Sequence, residues 1–464
     1  GSSSIVMDVI AITIALLLLV STTTTTRVEM KQIQPGASLV PNSSPACWPS
    51  PSGQFAFGFY PQDQGNAFVI AIWLVRGDNK TVVWTARRDD PPVTSNVKLQ
   101  LTEEGKLILI DEQGEQKPIA DIIEKASSAC MLDSGNFVLY NNSSIIWQSF
   151  DYPTDTLLGN QSLPNGHQLV SSSSNNSHSS GRHRLAMQND GNLVLYPVNT
   201  TDTAPDAYWA SMTSSALPTR LYLNQTGSLQ IMNSDMSLMK IFNDNSSLPN
   251  DGKGITYRAT LDFDGIFRLY AHFANGSIHE VWQAGQQNVC GLKGFCGFNS
   301  FCTFNDVHPV CNCVPDFELI DPNDSTQGCK RSFQNEDCNG EKDSATSYYM
   351  KRMEDPIVWV DSPYFKAIMP QEDCSSACLT DCICEAVFYD DREGSCMKQR
   401  LPLRYLRRPM QMEVGVGALL SLKVGNRSLI NGTGNDNPVP EQPPPPPIKT
   451  TRNTTTVQII VITS

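Results

Sequence analysis

The sequence predicts a mostly β protein whose last part is held together by disulfides. Short apolar or alternating runs extend from Arg27 to about Gln283, separated by Gly, Asn, Asp and Ser, with no long 3.6-residue period. Within that region a strand unit built around one glycine recurs. Twelve of the 14 cysteines follow, between Cys290 and Cys396. We therefore expect strand-rich units followed by cysteine-rich modules.

The apolar runs of the first region have the length of strands. Clear examples are FAFGFY (55–60), AFVIAIWLV (67–75) and TVVWTA (81–86). They are rich in β-branched and aromatic residues, which strands favour. Such runs with turn-forming residues between them predict an all-β sandwich, barrel or prism.

A repeated unit organises this region. Each copy has polar residues, a glycine and then an alternating apolar strand, and a unit this small cannot bury its own apolar face. The copies must share a core, for which Trp147, Trp209 and Trp282 are the expected aromatic fillers. The copies lie at 101–110, 131–140, 187–196, 223–232 and 261–270.

One copy carries an alternating polar set, with every second residue on one face of a strand. Its carboxylate accepts hydrogen bonds, its amides and phenol both donate and accept, and its valine offers an apolar contact, which suits a sugar. The Asp-Gly step also suits a tight hairpin turn, so a purely structural role is the alternative. The set consists of Gln188, Asp190, Asn192, Val194 and Tyr196.

This copy matches the mannose-binding, bulb-type lectin pattern Gln-x-Asp-x-Asn-x-Val-x-Tyr at every position. The segments VVWTARRDDPP (82–92) and WQSFDYPTDTLLGNQSL (147–163) resemble hallmark segments of plant S-domain, or G-type lectin, receptor-like kinases. The resemblance implies two tandem β-prism lectin domains, at 28–150 and 151–283. It also implies that the five alternating residues bind carbohydrate. The other copies lack parts of the set, so at most one complete site is expected.

The first cysteine group has the spacing C-x5-C-x5-C-x8-C-x-C-x15-C. Six cysteines allow 15 pairings, and spacing alone does not choose among them. The group resembles an EGF-like module at 286–330. No calcium is expected, because the segment AGQQNVC before the first cysteine lacks a carboxylate. The pairs that the resemblance implies are Cys290–Cys302, Cys296–Cys311 and Cys313–Cys329.

The second group resembles an α+β PAN/apple module at 338–422. Its segment CSSACLTDC places three cysteines on one face of a helix. The resemblance implies Cys374–Cys396 and Cys378–Cys384, which leaves Cys338 for Cys382. Parity leaves Cys47 for Cys130 as a clamp within the first lectin domain.

The two ends indicate the secretory route. Residues 1–26 have the apolar run of a signal peptide, residues 423–456 form a Pro/Thr-rich stalk, and 457–464 read as the start of a truncated transmembrane helix. Many Asn-x-Ser/Thr sequons agree with glycosylation on that route. They are Asn42, Asn79, Asn141, Asn142, Asn160, Asn175, Asn199, Asn224, Asn245, Asn275, Asn323, Asn426, Asn431 and Asn453.

Charge and motifs exclude several classes of function. The net charge of −13 argues against nucleic acid, and the basic run at 400–408 reads as a solvated face. No kinase, hydrolase or metalloprotease motif is present, so we expect no catalysis, cofactor or metal in this chain.

The resemblance implies the ligand-binding ectodomain of a lectin receptor-like kinase on the extracellular side of the plasma membrane. Its expected partners are a mannose-type glycan or another extracellular ligand, a homodimer or co-receptor contact through the PAN module, and a membrane anchor in the full-length product. The kinase domain is absent from this sequence. The alternative is a soluble secreted lectin-like binding protein.

Overall fold

The computed structural model describes residues 32–243, 254–285, 288–306, 308–331, 348–410, 413 and 416–425. These residues form strands β1 to β33 and a single α-helix, α1 (Gln371–Thr380), which confirms the mostly β prediction. Contacts divide the chain into two units. Unit 1 runs to Arg87 and resumes at Pro92–Tyr152; unit 2 holds Arg88–Pro91 and everything from Pro153 onward. The predicted signal peptide, most of the stalk and the 457–464 segment lie outside the described residues.

Unit 1 consists of three antiparallel sheets around an aromatic core. The ring centroids of Phe57 and Phe137 lie 4.0 Å apart, and Trp84 packs edge-on against Trp147 at 6.1 Å. Trp147 is therefore a core residue, as the repeat predicts. In spatial order, the sheets are β1 (Ser38–Leu39), β6 (Lys98–Leu101), β7 (Leu107–Ile110) and β8 (Gln116–Pro118); β2 (Cys47–Pro49), β3 (Phe55–Gln62), β4 (Ala67–Arg76) and β5 (Asn79–Thr85); and β11 (Ser144–Gln148), β10 (Phe137–Asn141) and β9 (Ser128–Met131).

Unit 2 begins with another set of three sheets, each with four strands. Their inward side chains are mostly leucines with no exposure, and Trp209 and Trp282 pack against them as predicted. In spatial order, the sheets are β12 (Thr156–Leu158), β21 (Thr256–Leu261), β22 (Phe267–His272) and β23 (Ile278–Gln283); β13 (Gln161–Pro164), β18 (Thr219–Leu223), β19 (Leu229–Asn233) and β20 (Leu238–Ile241); and β14 (Gln168–Ser172), β15 (Ser180–Met187), β16 (Leu193–Pro197) and β17 (Trp209–Ala210).

The glycine of each repeat makes the turn into its apolar strand. Gly191 has φ +86°, and a Cβ there would lie 2.8 Å from the backbone nitrogen of Ser215. A left-handed backbone with no room for a side chain requires glycine. The glycine is thus a folding signal shared by all five repeats.

Residues 88–91 contact unit 2 although they interrupt unit 1 in sequence. Arg88 donates hydrogen bonds to the carbonyl oxygens of Val170 (2.8 Å), Ser171 (3.0 Å) and His178 (2.9 Å). These four residues therefore group with unit 2, although nothing in their sequence marks them as part of it.

The region of the predicted EGF-like module contains short strands and the three disulfides that the resemblance implies. These are Cys290–Cys302, Cys296–Cys311 and Cys313–Cys329. The strand β24 (Ser300–Asn305) also pairs in parallel with β32 (Leu406–Arg407), much later in the chain, with Phe301 opposite Leu406. The strands are β24 (Ser300–Asn305), β25 (His308–Cys313), β26 (Phe317–Leu319), β27 (Cys329–Arg331) and β32 (Leu406–Arg407).

The region of the predicted PAN/apple module is a five-stranded sheet with α1 packed on it. The cysteines of α1 form Cys374–Cys396 and Cys378–Cys384, the pairs that the resemblance implies. The pair Cys338–Cys382 includes Cys338, which lies outside the described residues. In spatial order, the strands are β28 (Tyr348–Arg352), β33 (Leu419–Gly425), β30 (Ala386–Asp390), β31 (Ser395–Gln399) and β29 (Phe365–Ile368).

The predicted clamp between Cys47 and Cys130 is wrong, because both cysteines are free. Trp48 stacks on core residue Phe137, so its neighbour Cys47 faces the outer side of its sheet. Cys130 pairs with Val138 on β10, and Phe137, the next residue, faces the core. Both thiols therefore lie on outer faces of different sheets and are not joined by a disulfide.

The basic run at 400–408 is not a free solvated face. Arg404 pairs with Asp361 at 2.8 Å and Arg407 with Glu413 at 2.5 Å, while Arg408 forms an ion pair with Asp355. Acidic residues elsewhere in the chain supply these partners, so the run alone does not reveal them.

Candidate functional site

The candidate site lies on the hairpin formed by β15 and β16. The amide of Gln188 donates to the carbonyl of Asn192 at 2.8 Å, and the amide of Gly191 donates to the carbonyl of Gln188 at 3.1 Å. Asn189 and Asp190 are therefore the central residues of a tight turn, one position earlier than the Asp-Gly step that the hairpin interpretation predicts, and Gly191 follows them with φ +86°. All five residues of the set are nevertheless close together, since the turn and β16 carry them.

Asp190 is the exposed end of the set. One of its carboxylate oxygens accepts a hydrogen bond from the amide of Asn192 at 2.9 Å, which holds the turn. Asn192 is buried, and its side-chain oxygen accepts a hydrogen bond from the hydroxyl of Ser211 at 3.0 Å. That hydroxyl also accepts from the amide of Leu193 at 2.9 Å. The two residues therefore differ: Asp190 faces solvent, whereas Asn192 ties the turn to Ser211, the residue that follows β17.

Gln188 and Tyr196 contact each other directly. The side-chain amide of Gln188 donates a hydrogen bond to the Tyr196 hydroxyl at 2.9 Å. Tyr196 and Val194 have no exposed surface, and they pack with Ala186 and Ala207. Burial is the main cause that raises the pKa of Tyr196 to about 12, so the phenol is neutral at physiological pH.

Arg184 lies over the buried ring of Tyr196 at the end of the site away from Asp190. It lies opposite Tyr196 on β15, and its guanidinium carbon is 4.6 Å from the ring centroid. The guanidinium forms an ion pair with Asp202 at 2.7 Å and donates to the carbonyl of Thr200 at 3.0 Å. The Arg184 side chain is 10% exposed and that of Asp202 is 57% exposed. A buried cation is thus held by a solvent-facing carboxylate.

One continuous stretch of chain supplies further contacts to Tyr196 and to Arg184 above it. We define residues 198–207, between β16 and β17, as the cover segment. Its Asp202 holds Arg184, and its Ala207 packs against Val194 and Tyr196. A ligand can reach Asp190 and the partly exposed Gln188 directly, but contact with Val194 or Tyr196 requires the cover segment to move.

The last repeat shows what happens to the same positions when the set is broken. Arg268 stands where Val194 stands in the intact set, and it bonds Asp262 at 2.7 Å and Asp264 at 2.7 Å. The Tyr270 hydroxyl donates to Asp262 at 2.7 Å. A guanidinium of the chain itself therefore satisfies the carboxylates that could otherwise accept from a sugar.

The repeat at 131–140 keeps Asn136, Val138 and Tyr140 but lacks the glutamine and the aspartate of the set. The Asn136 side chain accepts a hydrogen bond from the Ser149 hydroxyl at 3.2 Å, and that hydroxyl accepts from the amide of Phe137 at 2.9 Å. Asn192 and Ser211 form the same arrangement. Because Leu132 and Ser134 replace the glutamine and aspartate here, the asparagine serves the fold even where no sugar set exists.

Arg184, Ser211 and the cover segment were missed by sequence reasoning. A signal for Arg184 does exist, because Arg258 precedes Tyr270 by the same spacing and lies opposite it on the neighbouring strand. No comparable pattern marks the cover segment, which has neither repeat nor periodicity.

Most described sequons are accessible, and Asn199 lies in the cover segment itself. Asn141 and Asn224 are partly buried, whereas Asn42, Asn79, Asn142, Asn160, Asn175, Asn199, Asn275 and Asn323 are exposed. The remaining sequons, Asn245, Asn426, Asn431 and Asn453, lie outside the described residues.

The described residues contain neither a metal-binding cluster nor a membrane-spanning helix. No cluster of His, Cys, Asp and Glu within them has the geometry to hold a metal ion. None of their helices has the length and hydropathy needed to cross a bilayer.

Comparison with known proteins identifies the relatives. A D-mannose binding lectin family matches residues 81–166. The G-type lectin S-receptor-like serine/threonine-protein kinase LECRK1 of Oryza sativa subsp. japonica is 34% identical over 424 residues, covering 83% of this chain and 51% of that protein. This chain is a relative of the plant G-type lectin S-receptor-like kinases. RLK1 of Arabidopsis thaliana, another such kinase, is 28% identical over 85% of the chain. The resemblance predicted from the sequence is confirmed.

The chain spans about half the length of these G-type lectin kinases. Among solved structures, the snowdrop mannose-specific agglutinin in complex with methyl-α-D-mannoside is 24% identical, with 25% of this chain and 88% of that chain covered and a TM-score of 0.19. A monomeric mannose-binding lectin from Gastrodia elata is 27% identical over 28% of this chain and 97% of its own, with a TM-score of 0.21.

Proposed function

We propose that this chain is the ligand-binding ectodomain of a plasma-membrane lectin receptor-like kinase, and that it binds a mannose-type carbohydrate at the hairpin of Gln188 and Tyr196. The relationship to G-type lectin kinases over most of the chain supports the receptor part. The kinase that would receive the signal belongs to a longer product. The ectodomain's task is therefore to bind, and its ligand decides when the kinase is engaged.

The observation that carries the sugar proposal is the exposed carboxylate of Asp190 beside the Gln188 amide. A carboxylate accepts hydrogen bonds from two neighbouring sugar hydroxyls, and an adjacent amide donates to a third oxygen. In the last repeat, the equivalent carboxylate of Asp264 is already neutralised by Arg268. The intact repeat therefore offers an acceptor that the last repeat does not.

Affinity for a single sugar should be weak. The exposed part of the site supplies a few hydrogen bonds and little apolar burial, so we expect a Kd on the order of millimolar for a monosaccharide. Since the other repeats lack the set, avidity has to come from multivalent ligands or from several receptors on one surface.

The test is a titration with methyl-α-D-mannoside, followed by NMR chemical shifts of the hairpin amides. Asp190→Asn removes the charge but keeps the turn acceptor. Asp235→Asn is the matched control, because Asp235 is exposed and accepts from the amide of Ser237 in the same way, at 2.9 Å. We expect saturable shifts in the wild type and the control and none in Asp190→Asn. Equal binding by all three proteins would overturn the assignment.

The membrane part is tested separately. Reading the transcript beyond Ser464 should give an apolar span, then basic residues and a kinase domain; a stop codon would support a soluble secreted protein instead. The homodimer or co-receptor contact through the PAN/apple module stays a prediction, which the sedimentation behaviour of the ectodomain tests.

A further inference from the structure

We infer that the cover segment couples ligand entry at the hairpin to a contact between Asp206 and Tyr405, so that ligand binding and the lectin-to-PAN junction oppose each other. The inference rests on the proposed carbohydrate site. It assigns a regulatory role to residues 198–207 that the lectin motif itself does not contain. The evidence for this coupling is the contacts at each end of the cover segment and the hydrogen bonds between the two ends.

The first end closes the site. Asp202 pairs with Arg184 at 2.7 Å above the buried ring of Tyr196. A sugar that packs on Val194 and Tyr196 has to take the volume that the cover segment fills, which separates Asp202 from Arg184. Since Asp202 is mostly exposed, it can return to water at little cost, whereas Arg184 then depends on the ligand's oxygens.

The second end is fixed to the predicted EGF-like and PAN regions. Asp206 is buried, and its carboxylate accepts a hydrogen bond from the Tyr405 hydroxyl at 2.8 Å. Arg404 lies 3.6 Å from the same carboxylate, and Lys293 donates to the carbonyl of Pro205. A buried carboxylate with these partners is a strong attachment, because leaving it unpaired costs its full desolvation.

The two ends are joined by short bonds within the segment. The hydroxyl of Thr201, the neighbour of Asp202, donates to Asp206 at 3.3 Å. The amides of Asp206 and Ala207 both donate to the carbonyl of Thr203, at 3.1 and 3.3 Å. The segment is therefore a compact turn, and a displacement of Asp202 is passed to Asp206.

The coupling has a definite sign. While Tyr405 holds Asp206, the segment stays over Tyr196 and opposes the ligand. Weakening the junction raises the open population and with it the apparent affinity for sugar. By reciprocity, the ligand weakens the junction by the same factor. Ligand binding at the hairpin thus weakens the contact between Asp206 and Tyr405 through a segment that carries no sugar-binding residue.

The experiment compares Tyr405→Phe with Tyr364→Phe. Each removes one tyrosine hydroxyl bonded to an aspartate, at 2.8 Å for Tyr405 and 2.9 Å for Tyr364 with Asp381, but the aspartate that Tyr364 bonds is not in the cover segment. Titration with methyl-α-D-mannoside should give Tyr405→Phe an affinity about three- to tenfold above wild type, with Tyr364→Phe unchanged. Asn199→Gln in every protein removes the sequon of the segment. Equal affinities for both tyrosine variants would overturn the coupling.

A ligand-free measurement separates this inference from the sugar proposal. Asp202→Asn weakens only the first end, and hydrogen exchange of the Asp206 and Ala207 amides reports on the second. We expect faster exchange at both amides in Asp202→Asn as well as in Tyr405→Phe. If no protein binds the mannoside, the sugar proposal fails and the exchange result alone decides the coupling. Unchanged exchange in Asp202→Asn would refute it.

Discussion

Arg184 lies over the ring of Tyr196, directly opposite it in the register of β15 and β16. The last repeat has the same relationship between Arg258 and Tyr270, at 4.0 Å and in the same register. The two hairpins differ at two of the three other polar positions of the set, where Asp262 and Ile266 stand in place of Gln188 and Asn192. The arginine–tyrosine stack is therefore a property of the fold, and the tyrosine of a sugar motif also has a packing role.

Asn192 and Asn136 should both be needed for stability. Alanine at either position removes the hydrogen bond between the asparagine side chain and a buried serine hydroxyl, so we expect the free energy of unfolding to fall by about 1–3 kcal/mol for each. Urea unfolding with the disulfides intact measures this. Asn189→Ala is the control, because Asn189 is exposed on the same turn. An unaffected Asn136→Ala would show that the shared asparagine–serine pair is dispensable.

His183 should make the protein less stable as the pH falls. Complete burial, with Arg182 adding to it, lowers the pKa of His183 to about 3. The unfolded chain binds the proton near pH 6.5 and the folded chain does not, so stability is present above pH 6.5 and is lost as the pH falls toward 3. Between pH 7 and pH 5, protonation of this histidine in the unfolded chain lowers the free energy of unfolding by about 2 kcal/mol.

The measurement is urea unfolding of wild type and His183→Phe at both pH values. The variant should lose less stability over this interval, whatever its stability at pH 7, since the remaining groups titrate alike in both proteins. Parallel pH dependences would contradict the assignment.

Tyr196 should make the protein less stable as the pH rises in the alkaline range. Its folded pKa of about 12 lies above the value of 10 expected in the unfolded chain, so its contribution is complete below pH 10 and is lost as the pH rises through 12. We expect Tyr196→Phe to have a shallower loss of stability between pH 9 and pH 11, by about 1 kcal/mol. Unfolding curves at the two pH values test this, and an identical slope would count against a buried phenol.

Cys47 and Cys130 should both be recovered as thiols. Burial raises the pKa of each, so alkylation of the native protein should be slow, most of all at the buried Cys130. After denaturation without reductant, mass spectrometry should find both peptides alkylated. A disulfide-linked peptide containing both cysteines would show that the two outer sheet faces come together.

Much of the fold follows from the sequence, because its signals are local. Glycine before an alternating strand fixes each turn, as at Gly191, and period-two leucines such as Leu195 fix the core face. The cysteine spacings indicated two modules. The features that the sequence did not predict depend on contacts between distant residues. An even number of cysteines does not show which face of its sheet Cys47 lies on. No sequence pattern links Arg88 to the carbonyl of Val170.

The site was predicted in part. Alternation correctly brought five polar and apolar residues onto one hairpin. It could not show that Val194 and Tyr196 are buried, since Ala207 packs against them from a segment without periodicity and Asp202 of the same segment holds Arg184. Nor could alternation show that the Asn192 side chain accepts a hydrogen bond from Ser211. The sugar-site and hairpin interpretations of the motif both place the asparagine at the same position.

The parallel pairing of Phe301 with Leu406 limits how this chain can be recombined with its relatives. A chimaera joined between residues 331 and 348 would separate β24 from β32 and give each half a sheet edge inherited from a different parent. Exchange of the whole block from Asn288 to Gly425 keeps that pairing within one parent. Ligand-specificity swaps between related receptors should therefore transfer the last two modules as one cassette.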